Sequence, residues 1–248
     1  MCGRYAITLP PEAMRQLFAY AEQPNFPPRY NIAPTQPIPI VRAVRQNGVA
    51  SRHFSLARWA FLPGFVKDPK TFALIFNARS EGLGEKPSFR NALRRRRCLM
   101  PADCFYEWQR FGSGKGAVSQ PFLFKRADGA PLALAGLWET WAGPNGEEVD
   151  TACIITTDAN GATSAIHPRL PAIIEPAEFD LWLETDETYA DEAAALLRPP
   201  GNDVLTFFAI GDAVNKVAND GPAVQLPLAA QPVVPRREPE PPLQPSLF

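Results

Sequence analysis

The sequence predicts an α+β chain with a mainly antiparallel β core, sandwich- or barrel-like, and helices at its periphery. Three observations predict it. Short apolar runs recur along the chain to about residue 210, each bounded by Gly, Pro or Asn turns. Helical periodicity appears in only a few brief stretches. Hydrophobic residues make up 46% of the 248 positions, enough for a sizeable core. Many short strands with few helices between them fit an antiparallel core.

Each element follows from local chemistry. A first strand is expected over Cys2–Thr8, and Pro10-Pro11 opens a helix in which Met14, Leu17 and Phe18 form one stripe. Proline recurs at 24, 27, 28, 34, 37 and 39, so this stretch is expected to be an ordered, extended loop. Pro39–Val44, Phe54–Leu62 and Thr71–Phe76 read as strands. Ser88 is placed to cap a helix running to about Arg95, with Phe89, Ala92 and Leu93 on one face. Arg94-Arg95-Arg96-Arg97 follows; cations suit a helix C-terminus, and the run also fits a solvated basic face or a phosphate contact. Cys98–Trp108, Pro121–Phe124, Pro131–Trp141 and Ala152–Thr157 are further strands. His167 precedes Pro168, which favours extended backbone at a loop edge. Pro176–Leu183 and Thr188–Leu197 read as helices and Val204–Ile210 as a last strand. One domain is expected over residues 1–225, and 226–248 as a proline-rich disordered tail.

Composition removes several function classes. Four scattered cysteines and two histidines, with no C-x-x-C pair, argue against a disulfide scaffold and a zinc site. No signal peptide and no membrane-length apolar run is present, so a reduced, cytoplasmic protein without membrane contact is expected. With 25 basic and 26 acidic residues the net charge is -1, so any nucleic acid is expected in a local groove and not over the whole surface. No glycine-rich phosphate loop and no internal repeat is seen, and no cofactor is expected.

The first residues carry unusual chemistry. Removal of Met1 would leave Cys2 with a thiol and a free α-amine on adjacent carbons. The amine has an ordinary pKa of about 7.7–8.0 and the thiol one of about 8.5. With an aldehyde, the amine condenses to an imine and the sulfur closes a five-membered thiazolidine. That use requires a sulfur within reach of a ligand; the alternative is a buried cysteine packed as a small hydrophobe.

Seven blocks occur in order. They are Met1-Cys2-Gly3-Arg4-Tyr5, Tyr30-Asn31-Ile32-Ala33-Pro34-Thr35, Phe76-Asn77-Ala78-Arg79-Ser80-Glu81, Cys98-Leu99-Met100-Pro101-Ala102, Phe105-Tyr106-Glu107-Trp108, Ala135-Gly136-Leu137-Trp138 and His167-Pro168-Arg169-Leu170-Pro171. Together they closely resemble the SRAP family, the SOS-response-associated peptidases or abasic-site processing proteins. The resemblance implies the SRAP fold and binding of single-stranded DNA that contains abasic sites. It implies a covalent thiazolidine crosslink through Cys2 and autocatalytic removal of the leading residues; the imine that precedes ring closure would also permit weak lyase activity by β-elimination of the 3′ phosphate. Matching positions make Cys2 the nucleophile, Asn77 a polar positioning residue, and Glu107 and His167 an acid/base pair. Arg4, Arg79 and Arg169 would hold phosphates. Trp108 and Phe65 are candidates for stacking on bases, as is Trp59. A monomer is expected, associated with the nucleoid when DNA is damaged in a bacterial source. The tail ending Gln244-Pro245-Ser246-Leu247-Phe248 is a candidate docking peptide for replication machinery.

Two other readings share some of these features. An N-terminal nucleophile amidohydrolase of the glutaminase type also starts Met-Cys-Gly, but here Arg4 follows and no glutaminase block is recognised downstream. A noncatalytic single-strand binding module would bind intact and abasic strands alike, through salt-reversible contacts alone.

Overall fold

The computed structural model describes residues 2–112 and 116–228. Among these residues, twelve strands form two sheets. They are β1 Tyr5–Ile7, β2 Arg29–Ile32, β3 Pro37–Gln46, β4 Val49–Trp59, β5 Asn77–Arg79, β6 Arg97–Ala102, β7 Cys104–Phe111, β8 Val118–Arg126, β9 Leu132–Ala142, β10 Glu148–Asp158, β11 Arg169–Pro171 and β12 Leu205–Ala209. The helices are α1 Pro11–Phe18, α2 Arg90–Arg95, α3 Phe179–Leu183 and α4 Ala190–Ala194, all short and outside the sheets. This is the expected α+β architecture.

The first sheet has the order β12-β8-β7-β1-β2. In the second, β10, β4, β3, β6 and β9 pair in sequence, and β9 pairs back onto β10, so the five strands close into a barrel. β5 and β11 are added to β10. All pairings are antiparallel except β10 with β4 and with β5. Closure is tightest between β9 and its two neighbours, whereas β4 meets β10 only at Arg58 and Trp59. The interior is tight: a Cβ on Gly136 would stand 2.9 Å from Cys98 Sγ and Met100 Sδ.

One strand pair joins the two sheets. Residues 97–111 were expected to include one strand over Cys98–Trp108, but the chain bends at Asp103 into β6 of the barrel and β7 of the first sheet. The Asp103 N–H donates to Ala6 O at 2.9 Å, and its carboxylate accepts from the backbone and hydroxyl of Thr8. A short polar side chain that bonds local backbone is what favours such a corner.

Other expectations need correction. Thr71–Phe76 is turn and bend with a single bridge, Phe61 to Ile75, because no neighbouring strand offers it a ladder. β1 is limited to Tyr5–Ile7, since the chain before it turns into the core. α2 has no side-chain cap, and Phe89, not Ser88, precedes it. The arginine run is largely structural. Arg97 is 3% exposed, and its guanidinium donates to the carbonyls of Leu93, Arg94, Trp182 and Glu184. Arg95 pairs with Glu187 and Arg96 with Glu139. Acidic residues of 175–192 thus serve as counter-charges, as Glu184 also does for Arg45 and Asp180 for Arg52. No helix among the described residues is long and apolar enough to cross a membrane. Pro227 still bridges Ile210, whereas the expected tail from residue 229 onward lies outside the described residues.

Candidate functional site at the seam of the two sheets

Four separate segments meet at the start of β1. The central position of β1 between β2 and β7 sets the geometry. Tyr5 pairs with Phe105 of β7, and the Tyr106 N–H donates to Arg4 O at 2.9 Å. These bonds hold the chain just after Cys2 beside the strand that carries Glu107. From the barrel side, β5 ends a loop and delivers Asn77, whose Nδ2 donates to Cys2 O at 2.8 Å. Asn77 Oδ1 is buried and has no hydrogen-bond partner among the described residues. The loop before β11 brings His167, with Nε2 3.9 Å from Glu107 Oε2.

Electrostatics set this group apart. Glu107 is 2% exposed on a strand otherwise lined by Cys104, Phe105 and Tyr106. Burial pushes its carboxyl up to about 7, with the Trp108 backbone N–H pulling the other way. His167 is pushed below the ordinary imidazole value, chiefly by burial. The Arg169 N–H points at His167 Nδ1 at 3.0 Å. Nδ1 is also 3.0 Å from Arg169 O, so either tautomer keeps this nitrogen bonded to the Arg169 backbone while Nε2 faces Glu107. Such a pair holds a proton donor and an acceptor near neutrality.

Cys2 itself is fully buried in the main core cluster. Its Sγ lies 3.7 Å from Arg4 O, and burial first, then the nearby Glu107 charge, holds the thiol far above the usual cysteine value. The expected accessible sulfur is therefore absent from this form of the chain, which carries Met1 ahead of it. A thiol is apolar enough to join the core when no partner draws it out.

The predicted phosphate ligands are placed differently from one another. Arg79 is exposed and two positions along β5 from Asn77, so both side chains leave the same face of the strand. Arg4 donates to Asn31 Oδ1 at 2.9 Å and Val214 O at 2.7 Å. Arg169 is already engaged by Glu81 and Asp158, both at 2.7 Å, and by Thr156 O. Its contact holds the Glu81 carboxyl down to about 2.

The aromatic candidates also divide. Trp59 is wholly buried, with Nε1 donating to Phe76 O, and belongs to the core. Trp108 is half-buried and donates to Asn215 Oδ1 at 2.8 Å. Phe65 is 60% exposed and edge-on to Phe72, on the loop after β4.

Two supports escaped sequence reading. Asn31 is buried and donates to Val214 O, Lys216 O and Asn219 O, tying β2 to the segment under Arg4. Asp220 accepts from the Tyr30 and Asn31 N–H groups. Asn31 lies inside a quoted block, but its partners are nearly 200 positions away and nothing local signals them. Surface cavities of about 260–570 Å³ are found elsewhere, the largest beside Arg52, Asp180 and Glu184; none of these is lined by Cys2, Glu107 or His167.

Comparison with known proteins finds similarity over most of the chain. The family profile described as SOS response associated peptidase (SRAP) matches residues 1–217. Abasic site processing protein YoqW of Bacillus subtilis (strain 168) is 33% identical over 225 residues, covering 90% of this chain and 97% of that one. Abasic site processing protein HMCES of Gallus gallus is 31% identical over 268 residues, covering 92% of this chain and 78% of that one. A solved protein of Bordetella bronchiseptica superimposes with a TM-score of 0.71 at 28% identity, covering 85% of this chain and 100% of that one. A solved protein of Bacteroides thetaiotaomicron shares the fold, with a TM-score of 0.76 at 24% identity over 92% of this chain and 100% of that one. The chain belongs to the SOS response associated peptidase (SRAP) family.

Proposed function

We propose that this protein processes abasic sites in single-stranded DNA by covalent capture through Cys2. The observation that carries the reading is the convergence of Cys2, Asn77, Glu107 and His167 from four segments, with Asn77 bonded to the Cys2 carbonyl at 2.8 Å and His167 Nε2 3.9 Å from Glu107. The names of the relatives, abasic site processing proteins, support the same substrate.

The first step is hydrolysis of the Met1–Cys2 bond, by an aminopeptidase or by the protein on itself. It frees the α-amine and removes the residue preceding the buried thiol. His167, in its imidazolium form, donates a proton to the ring oxygen of the abasic sugar, the bond from C1 to that oxygen breaks, and water takes the C1 hydroxyl proton, leaving the open-chain aldehyde. The Cys2 amine adds to C1, and loss of water leaves an imine. The Cys2 sulfur then adds to the imine carbon while its proton passes to Glu107, and the nitrogen is reprotonated. The net change is aldehyde plus aminothiol giving thiazolidine and water, with no redox partner. Asn77 holds the Cys2 carbonyl so that amine and sulfur face one carbon. If the imine persists, loss of a C2 proton expels the 3′ phosphate by β-elimination, which is the lyase activity.

Exposed Arg79 is the first phosphate ligand, its fork matching phosphate oxygens. Arg169 joins only if a phosphate displaces Glu81 or Asp158. Arg4, held by Asn31, acts by positioning the β1 entry. Trp108 and Phe65 are offered as stacking surfaces.

The test is direct. The protein, shown by intact mass to lack Met1, is incubated with a uracil-containing single-stranded oligonucleotide pretreated with uracil glycosylase. A heat-stable adduct is expected, and none with Cys2→Ala. An equal adduct from Cys2→Ala, or glutaminase activity in its place, would sink the reading.

A further inference from the structure

His167 sits on a loop with little backbone support of its own. β11, which follows it, is three residues long and pairs with the end of β10, Arg169 opposite Asp158. Pro168 and Pro171 have no N–H to give to that ladder. The His167 N–H reaches Thr163 O at 3.3 Å, a long bond. Gln109 of β7 ties the loop at Ala165 O. Arg169 supplies a second tie. Its Nη1 donates to Glu81 Oε1 and to Asp158 Oδ1, both at 2.7 Å, and its Nη2 donates to Glu81 Oε2 at 2.9 Å and to Thr156 O. The Glu81 contact is therefore two-pronged, the strong form of a charge-assisted pair. The Arg169 side chain is only 12% exposed beneath it. Glu81 lies in the turn after β5, so the fork joins the segment that delivers Asn77 to the loop that delivers His167.

We infer that Glu81 is a positioning residue for the capture chemistry: through Arg169 it fixes the backbone that holds His167 Nδ1, and so aims Nε2 at the site beside Glu107. This rests on the reading of His167 as the proton donor in that chemistry. The link is direct. The N–H and the carbonyl oxygen of Arg169 both lie 3.0 Å from His167 Nδ1, so a shift of Arg169 turns the ring. In the imidazolium, Nδ1–H donates to the Arg169 carbonyl, which leaves the Nε2 proton as the one to transfer. The Glu81 carboxyl, held down to about 2, stays charged across the range in which an imidazole titrates, so the fork persists while the proton moves. The contrary role is a latch that keeps Arg169 from a phosphate. The two roles give opposite signs when Glu81 is removed.

The experiment separates rate from binding. Chains shown by intact mass to lack Met1 are reacted in single turnover with abasic single-stranded oligonucleotide over a range of protein concentrations. Glu81→Ala is expected to lower the saturating crosslinking rate about tenfold, since a misplacement near ~1 Å costs up to ~10²-fold, and to leave the half-saturating concentration within about twofold. Glu85→Ala, which removes an exposed carboxylate of the same turn, should react as the natural chain does. Ring-nitrogen NMR spectra of the two histidines, assigned through His53→Gln, should show His167 shifted in Glu81→Ala and His53 unmoved. A saturating rate equal to or above the natural one, a loss confined to half-saturation, or an unshifted His167 ring overturns the positioning role. Absence of any crosslink from the natural chain would instead overturn the capture reading on which it rests.

Discussion

Glu107→Gln should make the protein more stable at pH 8 while slowing its reaction. In the fold, burial raises this carboxyl from 4.5 to about 7. The native state therefore keeps a proton that the unfolded chain gives up at about 4.3. Stability is greatest below that value, declines as pH climbs towards 7, and stays reduced above it, because the unfolded state binds fewer protons over that window. At ~1.36 kcal/mol for each tenfold in proton affinity, ionising Glu107 in place opposes folding by about 3 kcal/mol. Glutamine has nearly the same shape and no charge to desolvate. Urea denaturation at pH 4.5 should give nearly equal stabilities for the two proteins. At pH 8 the variant should lead by about 2–3 kcal/mol, or about 5–10 °C in Tm for a chain of this size. A gap that is the same at both pH values would refute the assignment of the shift to burial. In the crosslinking assay the same variant should be slower by about 10²-fold or more, the usual loss when a positioned acid–base group is removed.

Three further outcomes are expected. Asn77→Ala removes the bond to Cys2 O and should slow adduct formation on the order of tenfold, while urea denaturation shows a loss of only about 1 kcal/mol. Arg97→Met leaves the carbonyls of Leu93, Trp182 and Glu184 without their donor, and should lower stability by about 3 kcal/mol without changing the salt dependence of DNA binding. Gly136→Ala drives a methyl to 2.9 Å from two sulfurs inside the barrel, and thermal unfolding should show a loss of about 1–3 kcal/mol.

Much of the fold is legible in the sequence because strand-forming runs such as Leu132–Ala142 and Glu148–Asp158 are long, apolar and bounded by clear turns. What is not legible is long-range. Nothing local says that β9 pairs both with β6 and with β10, and that double pairing is what closes the barrel. The break at Asp103 hides inside an apolar run, since its cause is a contact with Thr8 almost a hundred positions earlier. At the site, Glu107 stands out from sequence as a carboxylate among aromatics, and His167 by its Pro168 neighbour. The state of Arg169 does not: its two carboxylate partners come from β10 and from the turn after β5. The four consecutive arginines look alike in sequence, yet one is sealed in the core and two are paired to acids, differences set by the packing of α3 and β9.

The pairing of β1 on both sides limits how the sulfur becomes available. Hydrogen bonds from β2 and β7 clamp residues 5–7, and a separate bond fixes Arg4 O, so the segment after Cys2 has no free hinge. A lever-like swing of the strand would break several peptide bonds' worth of pairing at once. On the proposed capture by Cys2, access comes from trimming what lies upstream or from rearrangement of the loops facing it. A chain whose leading residue cannot be cut away, such as one fused at its amino end to a tag, should fold normally and remain chemically silent.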